Sequence, residues 1–254
     1  LELSSSTTEY ITNGTITLAG DFDAVNANSF TPTGGTMTLD GSASNVDLSL
    51  HSSGNLYNLT VNNSNGVALS SDLTVSGNLD FNQGIINHNT NTLALGTTTN
   101  ASNSSHTNNG HVLKNFDSTV PFSYPCGDGT NFRPVTLTSS TTNSNNISAA
   151  YMFAAQNRSS LNNSLSSIET YGWDIQRFSG TDGFTITIPF DANYSITDYN
   201  NLTIAIWNGS EWTELPSTLA VSATLTGTAS SGSITTNSTV SDFSYRYFAL
   251  GYKS

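Results

Sequence analysis

The segment Gly14-Thr15-Ile16-Thr17-Leu18 recurs as Gly35-Thr36-Met37-Thr38-Leu39, an offset of 21 residues. Related pieces follow at Leu59-Thr60-Val61 and Leu73-Thr74-Val75, and Asn91-Thr92-Leu93-Ala94-Leu95-Gly96 closes the series. Each piece is a short apolar–Thr alternation bounded by Gly, Asn, Asp or Ser, the residues that make turns. Along Leu73, Val75, Gly77, Leu79 and Phe81 one face is largely apolar, while Thr74, Ser76, Asn78 and Asp80 are polar. A period of two sends alternate side chains to opposite faces of a strand. Strand repeats near 20 residues, without helices, predict a parallel β-solenoid in which each coil hides its apolar face on the next. A sandwich of hairpins is the competing arrangement, disfavoured because two-residue hairpin turns are scarce.

The rest of the chain follows a different pattern. Residues 1–113 contain no Lys or Arg; all six basic residues, and all three Trp residues, lie beyond. The change predicts two domains, a solenoid over 1–110 and a second domain over 111–254, joined near the polar stretch 97–110. Phe184-Thr185-Ile186-Thr187-Ile188-Pro189-Phe190 and Leu202-Thr203-Ile204-Ala205-Ile206-Trp207 alternate strictly, and Asn208-Gly209 is a turn signal leading into Glu211-Trp212-Thr213-Glu214-Leu215. Further strands are expected over 219–226 and 243–252. The whole reads as all-β: an N-terminal parallel β-solenoid followed by an antiparallel β-sandwich, immunoglobulin-like or jelly-roll-like. The sole helix-like stretch, 149–156, is too short and too poorly capped to form one.

Composition narrows the partners. Ser, Thr and Asn make up about two-fifths of the chain and only 9% of residues are charged, against roughly 25% in an ordinary globular protein. A net charge of −12 repels nucleic acid and anionic membranes, so neither is an expected partner. One cysteine, Cys126, excludes an internal disulfide and reads as a buried, inert thiol. No run of 18 apolar residues suggests a membrane span, and Leu1-Glu2-Leu3-Ser4 reads as a mature or trimmed start rather than a basic leader.

The order of several motifs resembles large surface proteins of Bacteroidota, adhesin-like repeat proteins typically exported by the type IX route. The repeat-like part is Gly54-Asn55-Leu56-Tyr57-Asn58-Leu59-Thr60-Val61-Asn62-Asn63, followed by Gly66-Val67-Ala68-Leu69-Ser70-Ser71-Asp72-Leu73-Thr74-Val75-Ser76-Gly77-Asn78-Leu79. The later part is similar to a domain that often follows such repeats, through 122–137, Tyr171-Gly172-Trp173-Asp174-Ile175, 206–211 with Trp212, and Asp242-Phe243-Ser244-Tyr245-Arg246-Tyr247-Phe248-Ala249-Leu250-Gly251. The resemblance implies a cell-surface or released adhesive or structural protein, and it brings no catalytic residues. Cys126 departs from it, standing where an apolar residue is more usual, and the C-terminal sorting domain that the resemblance implies is expected to be cleaved off or to lie outside residues 1–254.

Solenoids often house polysaccharide-cleaving enzymes, and such chemistry needs particular reactive groups. A lyase normally needs Arg or Lys to neutralise a uronate, and residues 1–113 have neither. A glycosidase needs two carboxylates roughly 5–10 Å apart; Asp21 with Asp23, and Asp72 with Asp80, read more simply as loop or strand-face residues. His51, His88, His106 and His111 lack metal-ligand spacing, and His106 and His111 are expected to be solvated. Oxygen ligands for Ca²⁺ are conceivable at Asp21 and Asp23, or at Asp128 within Gly127-Asp128-Gly129, although neither makes a complete loop. Arg133 is expected to pair with a carboxylate and fix the sandwich, and Trp173 to pack in its core. Trp207, Trp212 and Tyr171 are the candidate sugar-stacking faces.

These readings predict an extracellular, non-catalytic structural or adhesive protein, with copies of itself or neighbouring surface proteins as partners, and with polymerisation through open coil edges. The polar residues 1–12 are expected either to cap the coil or to add as a strand to a neighbour. Two other readings stay open at this stage: a carbohydrate-binding module of a secreted protein, and an ice-binding solenoid built on the Thr15/Thr17 and Thr36/Thr38 pairs.

Overall fold

The computed structural model describes residues 1–254 except 4–7, 10–11, 28, 31, 44–45, 52–53, 103, 153, 156, 195, 216–222 and 229. The chain forms two compact units: Leu1–Lys114 with Pro125–Phe132, and Asn115–Tyr124 with Arg133–Ser254.

The first unit is a parallel β-solenoid. Strands Thr15–Leu18, Thr36–Gly41, Asn58–Asn63, Leu73–Gln83, Leu93–Thr99 and the start of Val112–Phe116 lie side by side in chain order. The repeats found in the sequence are in register: Thr15 lies opposite Thr36, Thr17 opposite Thr38, and Thr38 opposite Thr60. A second parallel sheet runs through Phe22–Ala24, Val46–Leu50, Val67–Leu69, Ile86–Asn87 and Thr107–Asn108. Each coil therefore gives one strand to each sheet. Met37, Leu39, Leu59, Val61, Leu79 and Phe81 from the first sheet are buried, as are Phe22, Val46, Leu48, Val67, Leu69 and Ile86 from the second. Alternation produces this directly, since Asn58–Asn63 and Val46–Leu50 each bury every second residue. The hydrophobic burial, not the hydrogen bonds, drives the stacking.

The stretch 97–110, which reads as a connector, is instead solenoid. Thr97–Thr99 continue the first sheet and Thr107–Asn108 stack on Ile86–Asn87 in the second. Its polarity is misleading because short polar side chains suit the outer faces and corners of a coil. His106, expected to be solvated, is consequently fully buried, and His111, expected to be solvated too, is half-buried; His88 on the preceding coil is also fully buried.

The second unit is an antiparallel sandwich. One sheet has the order Asn145–Met152, Leu165–Ser179, Tyr247–Lys253, Leu202–Trp207 and Trp212–Glu214; the other runs Phe122–Tyr124, Val135–Ser139, Phe184–Asp191, Ser231–Thr236 and Ala223–Thr228. Asn208-Gly209 makes the expected hairpin turn, pairing Trp207 with Trp212. Asn208 Oδ1 accepts from the N–H groups of Ser210 and Glu211, and Gly209 takes φ +96°. Trp173, expected in the core, is fully buried, and its indole N–H donates to the Arg133 carbonyl at 2.8 Å. Phe116, Phe184, Phe243 and Phe248 form a chain of ring contacts with centroids 5.0–6.2 Å apart. Part of the strand expected over 219–226 lies outside the described residues, and 149–152 are strand, not helix.

Glycine is required where one coil's backbone turns against the next. Gly84 has φ +93°, and a Cβ there would lie 1.8 Å from the Asn63 carbonyl oxygen. Gly14 has a similar φ of +89° with nothing within 4 Å of such a Cβ. Gly84→Ala should therefore lower unfolding free energy by about 3 kcal/mol or more, and Gly14→Ala by only about 1 kcal/mol; urea denaturation of the two variants measures the difference.

Candidate functional site

The outer surface of the solenoid is built from short polar side chains that bond from coil to coil. Asn58 Nδ2 donates to the Gly35 carbonyl at 3.1 Å, Asn63 Nδ2 to the Ala43 carbonyl at 3.0 Å and Asn91 Nδ2 to the Leu69 carbonyl at 2.7 Å. In the reverse sense, Asp47 N–H donates to Asp21 Oδ1, Thr92 N–H to Asp72 Oδ1 and Leu50 N–H to Ser71 Oγ, at 2.7–2.9 Å. These bonds occupy backbone groups that the ladders leave over at the corners, where an unmet polar group would be costly. On the outward face Thr17, Thr38 and Thr60 stand in register, and Asp80 and Thr99 continue the column. Asp80 Oδ1 accepts from Thr99 Oγ1 and from Asn100 Nδ2, both at 2.7 Å. The neighbouring column runs Thr15, Thr36, Asn58, so the paired-Thr rank spans two coils.

The ends of the two sheets differ. Residues 1–3 lie along Phe22–Ala24: Glu2 bridges to Asp23, Leu3 N–H donates to the Asp23 carbonyl at 2.7 Å, and Asp23 N–H donates to the Leu1 carbonyl at 2.8 Å. Residues 1–3 thus extend the second sheet, while Thr8–Glu9 pairs with Ser29–Phe30 in a separate two-stranded sheet. Strand Thr15–Leu18 ends the first sheet, and among the described residues nothing pairs with its outer edge. Thr15 and Thr17 are exposed there, while Ile16 and Leu18 are half-buried. On the second sheet a groove of about 230 Å³ is lined by Asn65, Val67, Ala68, Ile85, Asn87 and Asn108.

The aromatic trio does not offer stacking faces. Trp212 has no exposed surface, Tyr171 is 8% exposed and Trp207 is 9% exposed. Trp207 and Trp212 pack on each other at 5.9 Å among Ala155, Leu165, Ile168, Ala205 and Ala249. Tyr171 packs edge-on to Tyr194 and donates its hydroxyl to the Tyr194 carbonyl at 3.1 Å; burial raises its pKa. These rings complete the core because each sits at an inward strand position. Among the described residues the exposed aromatic rings are Tyr57, Phe178 and Tyr245.

The candidate metal ligands are already committed to backbone. Asp21 Oδ1 serves Asp47, Asp23 Oδ1 accepts from Val25 N–H, and Asp128 accepts from the N–H groups of Thr130 and Asn131 and from the Asn131 amide. Among the described residues no group of three or more His, Cys, Asp or Glu converges, and no helix is long and apolar enough to cross a membrane.

Every basic side chain has an internal partner. Arg133 is buried, donates to the Asn193 carbonyl at 2.9 Å, and lies over the rings of Tyr194 at 4.1 Å and Tyr171 at 5.2 Å. The two-pronged grip on a carboxylate belongs to Arg246, which holds Asp174; those hydrogen bonds raise the Arg246 pKa. Arg177 donates to the carbonyls of Ser241 and Asp182 and lies 4.8 Å from the Phe243 ring. Lys253 pairs with Glu214 at 2.8 Å, Arg158 reaches the Ile168 carbonyl at 3.4 Å, and Lys114 Nζ donates to the Gly96 carbonyl at 2.5 Å. Sequence reasoning missed the knot around Asp182, whose carboxylate accepts from Thr141, Asn143 and Asn145. Those bonds, Thr141 first, pull its pKa below the usual carboxylate range. Its donors lie in Thr141-Thr142-Asn143-Ser144-Asn145, a run that reads as mere low complexity.

With this geometry in view, no family model, curated protein or solved structure matches the chain.

Two stability effects follow. Arg133→Ala should cost about 2–4 kcal/mol by leaving the Asn193 carbonyl and two Tyr faces without the guanidinium, and Arg133→Lys should recover little of it because a point charge cannot replace a stacked plane; chemical denaturation measures both. Burial pushes His88 from 6.5 down to about 4, aided by the charge of His111 and opposed by the Asn91 carbonyl at 3.2 Å from Nδ1. The unfolded chain then binds the extra proton, so stability is intact above pH 6.5 and falls as pH drops toward 4. The loss is about 3 kcal/mol at full protonation, and it should be absent from the pH profile of His88→Gln.

Proposed function

We propose that this chain is an extracellular, non-catalytic structural and adhesive protein of a bacterial surface, which pairs with a copy of itself or a neighbouring surface protein through the open edge of its solenoid. The observation that carries the reading is the Thr15–Leu18 strand at the end of a parallel sheet. An edge of this kind presents a row of backbone donors and acceptors, which another strand can satisfy. The rest of the surface supports it. Exposed positions hold short amides, hydroxyls and carboxylates, and the six cations are turned to internal partners. The motifs resembling Bacteroidota adhesin-like proteins, and export by the type IX route, fit the same setting. Light scattering and negative-stain microscopy across a concentration series test it: assemblies larger than the monomer, formed as concentration rises, are expected. Thr15→Lys with Thr17→Lys, which puts charge on the edge strand, should leave monomers. Wild-type protein that stays monomeric at the highest concentration overturns the self-pairing.

The groove on the second sheet favours a second reading, glycan binding by the solenoid itself. Asn65, Asn87 and Asn108 supply paired donors and acceptors beside the apolar Val67, Ala68 and Ile85, a mixture suited to an uncharged sugar's hydroxyls and C–H face. A glycan array on the wild type and on Asn87→Ala with Asn108→Ala tests it: hits lost in the double variant support the groove, and an empty wild-type array discards it.

A further inference from the structure

The last solenoid coil is covered by Pro125–Phe132, a segment of the same compact unit. Thr107 N–H and Thr107 Oγ1 both donate to the Pro125 carbonyl, at 2.6 and 3.0 Å, and Gly127 N–H donates to the Thr107 carbonyl at 2.8 Å. Cys126 lies opposite Thr107 as a parallel bridge. The segment therefore stacks on Thr107–Asn108 as a further strand. Beside this bridge sits the His106 ring, with no exposed surface and both nitrogens engaged. Nδ1 lies 3.0 Å from the Ser102 carbonyl of its own coil, and Gly129 N–H donates to Nε2 at 3.2 Å.

These partners assign the tautomer. An N–H aimed at Nε2 needs a lone pair there, so the single ring proton is on Nδ1 and goes to Ser102. A second proton has only Nε2 to occupy. It would convert the acceptor of the Gly129 bond into a donor facing another donor, and would place a charge in a desolvated site. The ring has no slack to turn aside: a Cβ on Gly127 would lie 2.6 Å from its Cδ2, and the Phe132 ring stands 6.3 Å away. Asp128 is the charged group acting on the ring, and it favours the imidazolium. That carboxylate is already turned to the amides of Thr130 and Asn131.

We propose that Pro125–Phe132 is an acid-released latch on the end of the solenoid, with His106 as the group whose protonation opens it. His88 does not share the role, because its Nδ1 bond is to Asn91 within its own turn. The sign follows from geometry and agrees with the direction in which burial moves the ring, below 6.5. The closed latch keeps His106 neutral, so closure is complete above that value and weakens as pH falls beneath it.

Cys126 reports the state of the latch, being 1% exposed and the chain's one cysteine. Its reaction with 4,4′-dithiodipyridine, which attacks thiols in acid as well as at neutrality, is compared with that of a small thiol from pH 7 down to about pH 4. The expected result is a relative rate that rises about tenfold or more on acidification, while far-UV circular dichroism and tryptophan emission hold steady. His106→Gln, whose amide oxygen can take the Gly129 N–H without titrating, should react slowly at every pH. A flat wild-type rate, acceleration that survives in His106→Gln, or acceleration that appears only as the dichroism collapses each overturns the latch. Long-range ¹H–¹⁵N spectra of the wild-type histidines provide a check that needs no variant: the Nδ1–H form at neutral pH is required, and an Nε2–H form for the buried ring overturns the assignment.

Discussion

Stacking coils about one strand spacing apart imposes a demand that the ladders alone do not meet. Along the strands, backbone groups pair with the coil before and the coil after. At the corners they turn out of line, and each needs a partner that fits in the gap between neighbouring backbones. Asn, Ser, Thr and Asp are short enough to reach one coil over and stiff enough to hold still. That is why Asn63 spans to Ala43, Asn91 to Leu69 and Asp72 to Thr92. The polar bias of the chain is thus a structural requirement before it is a surface property. Long Lys and Glu side chains would lose more entropy for the same bond.

The same economy shapes the sandwich unit, where scarce charges have internal work. Arg246 grips Asp174, Arg177 gathers two carbonyls, and Arg133 lies between Tyr faces. The acidic groups consequently dominate what solvent meets. Arg133, Arg177 and Arg246 each mark a packing junction.

The fold was largely legible because its signals are local. The offset between Gly14-Thr15-Ile16-Thr17-Leu18 and its recurrence is the register seen between Thr15 and Thr36. Strict alternation in 184–190 and the Asn208-Gly209 turn are likewise found as read, whereas Leu202–Trp207 is buried along its whole length, its threonine included. Where structure and sequence differ the cause is shared: polarity does not imply exposure. His106 sits in Ser104-Ser105-His106-Thr107-Asn108-Asn109, which looks solvated, yet Ser105, His106 and Thr107 are buried beneath a strand that arrives from 125–132. The converse case is that of Trp207, Trp212 and Tyr171. Aromatic residues suggest a binding face, but their inward strand positions decide that they fill a core. Arg133, expected to meet a carboxylate, donates to a carbonyl and lies over two tyrosine rings, and nothing in a linear pattern reveals that rings so far apart in the chain converge on it.

The covering of Thr107 by Pro125–Phe132 also bears on how the chain can be divided. No single peptide bond separates the two units, since 115–124 belong to the second and 125–132 return to the first. A fragment ending at Lys114 would keep His106 and Thr107 but lose the groups that meet Nε2 and the Thr107 N–H. During synthesis the solenoid's final coil must likewise wait until residue 132 has emerged, so the boundary between the units is a matter of time as well as of position.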